Sequence, residues 1–221
     1  LQLFQVAKGH ATQQQLAERR AACGARLKPT FGITYGAALE ASASVRGEMT
    51  MSASPLLQSL FRYKAWANEE LFSELEKLDS AGHEAERHTA VRVLNHVYVV
   101  DQIFAAHLSD KPHAYTAINT RETPTLSELH RAVTASDRWY VEYVAALSSG
   151  LLSERLRFSF TDGKKGCMSR EEMLAHVATH GSYHRGAVGR IATQLSIAPP
   201  HDTFTTYLHR SEPERRVMND G

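Results

Sequence analysis

His176, His180 and His184 follow one another at intervals of four residues. On a helix, residues i and i+4 lie one above the other with Cβ atoms about 5–6 Å apart, so two imidazoles at that spacing can reach one metal ion. Angular position sharpens the reading. At about 100° per residue, Met173, Val177, Ala187, Val188 and Ile191 form an apolar stripe, with His180 and His184 at its centre and His176 toward its edge. Two polar rings in a core-facing stripe need partners, because unpaired burial costs about 1–3 kcal/mol each. A shared metal meets that need. Core hydrogen bonds are the alternative, and an HxxxH pair also arises by chance in helices that contain histidine.

A metal site needs a third donor from elsewhere. His96 is the best candidate, in the middle of a second helical segment on a face with Val100 and Ile103. His107 shares that face but lies about 16 Å along by helix rise, too far for the same ion. His83, His88, His113, His130, His201 and His209 fall in loops or at helix ends and are expected to face solvent. Gly181-Ser182-Tyr183 separates the pair, so no glutamate follows the first histidine and the zinc-protease arrangement is excluded. A carboxylate-rich di-iron bundle and a cysteine-rich structural zinc site fail for want of ligands.

Three neutral imidazoles leave a divalent Zn, Ni or Fe ion its full charge and at least one open position, a catalytic rather than structural pattern. A thiol or water there loses its proton near neutral pH. Two chemistries follow: a thiolate delivered to an electrophile, by an S-transferase or isomerase, or hydrolysis. Arg185, next to His184, is a candidate for binding a substrate carboxylate; the competing role is pairing with an acid on a neighbouring helix. Tyr63 and Trp66 read as core, Tyr183 points away from the stripe, and Cys167 reads as a small packing residue. No residue is assigned as catalytic.

The elements that must position these groups are mostly helical. Ser54-Pro55 reads as an N-cap followed by a first-turn proline, and apolar residues from Leu56 to Leu75 repeat at helical spacing to about Leu78. A second helix is expected from about His88 to Leu108. Thr125 and Glu128 form a capping box opening a third, through Leu147, and Ser169 and Glu172 form another, opening a fourth from Arg170 to about Leu195. Alternation over Arg155–Phe160 followed by Thr161-Asp162-Gly163 predicts a short β-hairpin before that last long helix. A final short helix is expected within Asp202–His209. Four long amphipathic segments with short connections predict an all-α four-helix bundle.

The chain has 221 residues, 43% hydrophobic and 22% charged, enough for one sizeable domain with an ordinary core. Lys+Arg 25 against Asp+Glu 24 gives no basic excess, which argues against a dedicated nucleic-acid or membrane-surface binder. No run of eighteen apolar residues offers a membrane span. Two cysteines, Cys23 and Cys167, suggest a reducing, cytoplasmic setting. Residues 1–50 read as an N-terminal extension, non-native or disordered, with a short basic helix over Ala11–Leu27 and Met49 or Met51 as the authentic start. Their Arg-rich composition also resembles a transit peptide. The domain is expected over 51–212, with 213–221 as a tail.

Taken in order, Tyr63-Lys64-Ala65-Trp66-Ala67-Asn68, then Leu94-Asn95-His96 with Asp101, then His176 through Gly186, then Pro199-Pro200-His201-Asp202 resemble the DinB superfamily. These are bundle proteins of the damage-inducible and bacillithiol- or mycothiol-dependent transferase type. The likeness runs from about Ser54 to Arg210. It implies an up-down-down-up bundle, often homodimeric, with a metal triad of one histidine from the second helix and two from the fourth. Matched residue by residue, the triad is His96, His180 and His184. The resemblance favours a low-molecular-weight thiol as co-substrate and a small electrophile as substrate, over hydrolysis or a non-enzymatic, stress-related metal-binding role. Relatives commonly carry Asn where this chain has Thr179, and often His where it has Tyr183; both differences fall beside ligands rather than on them. Asn95 and Asp101 are candidates to orient ligand N–H groups, although Asp101 lies on a different helix face from His96.

Overall fold

The computed structural model describes residues 54–77 and 82–216. The chain divides into Leu1–Met49 and Thr50–Gly221, and every described residue belongs to the second unit. The helix expected over Ala11–Leu27, the rest of the expected extension and most of the expected tail lie outside the described residues.

Helix α1, Pro55–Glu76, opens on a proline whose missing N–H costs nothing in the first turn, but Ser54 makes no side-chain cap. Helix α2, Glu84–Leu108, begins a turn earlier than expected, with Glu84 and Glu86 favourably placed against the positive end of its dipole. Helix α3, Leu126–Ala146, and helix α5, Arg170–Gln194, both start on complete capping boxes, Thr125 with Glu128 and Ser169 with Glu172. Between them lie a one-turn helix α4, Ser149–Leu152, with no periodic signal to announce it, and an antiparallel hairpin of β1, Arg155–Ser159, and β2, Lys165–Ser169. Gly163 makes the hairpin turn at φ 84°, which a side chain would resist. Helix α6, Phe204–Ser211, follows Pro199-Pro200 and leads into a 3₁₀ turn, Pro213–Arg216. Cys167 lies half-buried on β2.

Helix α1 packs on α3 and α5, and α2 packs on the same two. Their apolar faces make two clusters. One gathers Phe61, Phe104, Tyr140, Val144, Met173 and Val177; the other gathers Leu71, Phe72, Leu94, Leu129, Val133 and Val188. Every long helix also buries polar residues near the boundary between the two sets: Lys64 and Asn68, Asn95 and Asp101, Ser136 and Asp137, and Arg185. A polar layer therefore crosses the core at the level of the histidines. Among the described residues no helix is long and apolar enough to cross a membrane.

Candidate metal centre

His96 comes from the middle of α2, and His180 and His184 from successive turns of α5, two helices packed on each other. One nitrogen from each ring lies within 4.8 Å of the other two, and each ring is partly exposed, so the centre reaches solvent. Ring centroids stand 5.0, 4.8 and 4.5 Å apart for the pairs 96–180, 96–184 and 180–184. His96 Nε2 and His180 Nε2 are 3.1 Å apart. Two imidazole nitrogens that close either share a proton or face one cation.

The surroundings favour the second. His96 Nδ1 donates to the Ile118 carbonyl at 2.7 Å, which fixes the ring and leaves the Nε2 lone pair toward the centre. Burial, with the neighbouring His184, His96, His176 and Lys64, pushes His180 down to about 3. Burial and His96 also lower His184. Both rings are thus neutral at pH 7, the form that can ligate a metal. His180 Nδ1 is buried with no hydrogen-bond partner among the described residues. The donor set fits a divalent ion.

The loop after α2 is part of this centre. Asn95 donates to Asn119 Oδ1 and, at 2.6 Å, to Thr120 Oγ1, while Arg92 donates to the Thr120 carbonyl at 2.7 Å. These bonds hold the loop that presents the Ile118 carbonyl to His96. Asn95 thus acts through the loop rather than on a ring. Ile118, 54% exposed, and Tyr183, 76% exposed and edge-on to His184 at 5.1 Å, form an apolar rim beside the triad. His176 stacks on His180 at 5.2 Å and packs against Phe104, and is not brought into the triad.

Arg185, the candidate for binding a substrate carboxylate, is buried. Its side chain is 1% exposed; Nε donates to Asp202 at 2.7 Å, and its other nitrogens reach Asn68 and Ser182. Substrate binding through it would require breaking these pairs. Lys64, fully buried, bonds Asp101 at 2.8 Å and Asp137 at 2.6 Å, and Asn68 holds the second oxygen of Asp137. Burial alone would lower Lys64, but the two carboxylates outweigh it and raise it. One cation cannot fully compensate two buried acids, and burial lifts Asp101 to about 6 against the pull of Lys64. Lys64 falls among the residues that repeat at helical spacing along α1, but its two carboxylate partners lie on other helices and leave no local signal.

Two histidines expected in solvent are half-buried instead. His130 is pinned by Glu76 at Nδ1 and Glu69 at Nε2, both 2.9 Å, and stacks on Phe72. His113 packs at 5.1 Å on His107, with its Nδ1 buried.

The DinB family model matches residues 49–216, and the chain belongs to the DinB family. It is similar to Protein DinB of Bacillus subtilis (strain 168), 26% identical over 169 residues, covering 71% of this chain and 95% of that protein. DinB-family proteins are typically metal-binding, and His96, His180 and His184 are the donor group that the described residues offer for it.

Proposed function

We propose that this chain is a divalent-metal-dependent S-transferase or isomerase that delivers a low-molecular-weight thiol to a small electrophile, within an up-down-down-up four-helix bundle that acts as a homodimer. The observation that carries the reading is the convergence of three imidazoles, neutral at pH 7 on two of them, at a place open to solvent. A bound Zn, Ni or Fe ion would supply Lewis acidity, lowering the pKa of a thiol presented to it. The chain's own residues do the rest. His96 is held in one tautomer by the Ile118 carbonyl, and Asn95 and Arg92 keep that carbonyl in place. Ile118 and Tyr183 offer apolar surface to an organic substrate beside the triad. Arg185 serves as a structural tie, since its donors are engaged.

The test is turnover by protein loaded with Zn, Ni or Fe(II), supplied with bacillithiol, mycothiol or glutathione and a panel of electrophiles. Thiol-stimulated loss of an electrophile that disappears in His184→Ala supports the reading. Turnover equal with and without thiol replaces it with hydrolysis, and tight metal uptake with no turnover replaces it with a binding role.

A further inference from the structure

Among the described residues, four buried side-chain atoms have no hydrogen-bond partner: Asp101 Oδ1, His107 Nε2, His113 Nδ1 and His180 Nδ1. Two of these are complementary. With its Nε2 turned to the triad, 3.1 Å from that of His96, a neutral His180 carries its proton on Nδ1, a buried donor in need of an acceptor. Asp101 offers the matching acceptor, a buried carboxylate oxygen whose twin is taken by Lys64. Lys64 spans the interval. Its ammonium bonds Asp101, while its stem packs 3.5 Å from where a Cβ on Gly181, the next residue after His180, would sit. Two of its three N–H donors go to Asp101 and Asp137, which leaves the third for another acceptor.

We propose that Asp101 is the positioning carboxylate of His180, receiving its Nδ1–H through one buried water that also accepts from Lys64. This rests on the metal-centre reading above. Three polar partners suit a buried water, and a carboxylate behind a ligating imidazole fixes its tautomer and raises its basicity. Asp137 cannot take the role, because Lys64 and Asn68 engage both of its oxygens. Asp137 is therefore the control: it shares the pairing with Lys64 but has no free acceptor oxygen.

The experiment uses the full chain and zinc alone. Zinc affinity is measured by chelator competition for wild type, Asp101→Asn, Asp137→Asn and His180→Ala. An asparagine at 101 must keep its oxygen on Lys64, so it turns an NH2 toward the gap and sets donor against donor. Asp101→Asn is expected to weaken zinc binding about 10–100-fold, and Asp137→Asn to leave it within about threefold. In ¹⁵N-histidine NMR of zinc-loaded wild type, His180 is expected as the Nδ1–H tautomer with a slowly exchanging proton, a readout that does not depend on any variant folding. Wild-type affinity in Asp101→Asn, equal loss in Asp137→Asn, or an Nε2–H tautomer at His180 overturns the proposal. Failure of the underlying reading looks different: wild type takes up no zinc, or His180→Ala keeps it, and the proposal falls with it.

Discussion

Arg185 grips Asp202 with two bonds, Nε to Oδ2 at 2.7 Å and NH2 to Oδ1 at 3.3 Å, fastening α5 one residue beyond His184 to the segment that leads into α6. The Tyr63 ring lies 5.6 Å below the guanidinium and its hydroxyl donates to the same carboxylate. Removing Asp202 leaves a buried guanidinium with its best partner gone. Asp202→Ala is expected to lower stability by about 1.5–3 kcal/mol in urea denaturation, with zinc uptake retained. A variant of wild-type stability with a raised KM would instead return Arg185 to the substrate.

Each triad histidine supplies one of three donors. Metal analysis after zinc loading should therefore show about one equivalent in wild type and a loss of most of it in His96→Ala, His180→Ala and His184→Ala alike. His176→Ala, stacked on His180 but outside the group, should keep its zinc. Unchanged content in any one triad variant removes that residue from the centre.

Lys64 is the sole cation bonded to both Asp101 and Asp137 among the described residues. Lys64→Met leaves two carboxylates buried near each other, with an expected cost of about 3–5 kcal/mol near neutral pH. Protonating an acid relieves the strain, and Asp101, raised to about 6 even with Lys64 pulling it down, takes its proton at higher pH once Lys64 is gone, so the deficit against wild type should shrink as pH falls from 8 toward about 6. A deficit constant from pH 8 to pH 4 would show that lost packing, not charge, is responsible.

His130 offers a sign-determined pH effect. Both of its ring nitrogens meet carboxylate oxygens, which only the doubly protonated ring can satisfy. Burial alone would lower its pKa, but the bonds to Glu69 and Glu76 outweigh that and raise it above 6.5. The pair's stabilisation is therefore full below the unfolded pKa and fades as pH rises through the higher folded one. Because His180, His184, His176 and His107 are shifted the other way, the difference between wild type and His130→Gln is the clean observable. That difference in melting temperature should be largest near pH 5.5 and narrow toward pH 9. A gap that widens with pH would contradict the pairing.

What could be read from the chain was whatever local rules fix. Thr125 with Glu128 and Ser169 with Glu172 mark two helix starts because each capping box closes within four residues. The convergence of His96 with His180 and His184 was legible from helical phase and resemblance together. What stayed hidden is long-range. The Ile118 carbonyl reaches His96 from a loop 22 residues away, and a backbone acceptor leaves no trace in residue type. Lys64 and Asp101 recognise each other across two helices, and neither alone betrays burial. Asp101 was placed off the His96 face, which is true of α2 by itself and does not decide which face of α5 it meets. His130 was sent to solvent because its partners sit 54 and 61 residues earlier.

The belt of charge and amide groups running through the waist of all four long helices works as a keyway. Oil on either side would tolerate a helix sliding by one turn, about 5.4 Å, since leucine replaces leucine at little cost. A slipped α2 would instead drag Asp101 away from Lys64 into hydrocarbon and carry His96 out of reach of its two companions in the same movement. Mis-threaded arrangements that would part the three imidazoles are thereby also the ones that bury bare charge, so correct assembly and the convergence of the histidines are enforced by a single lock.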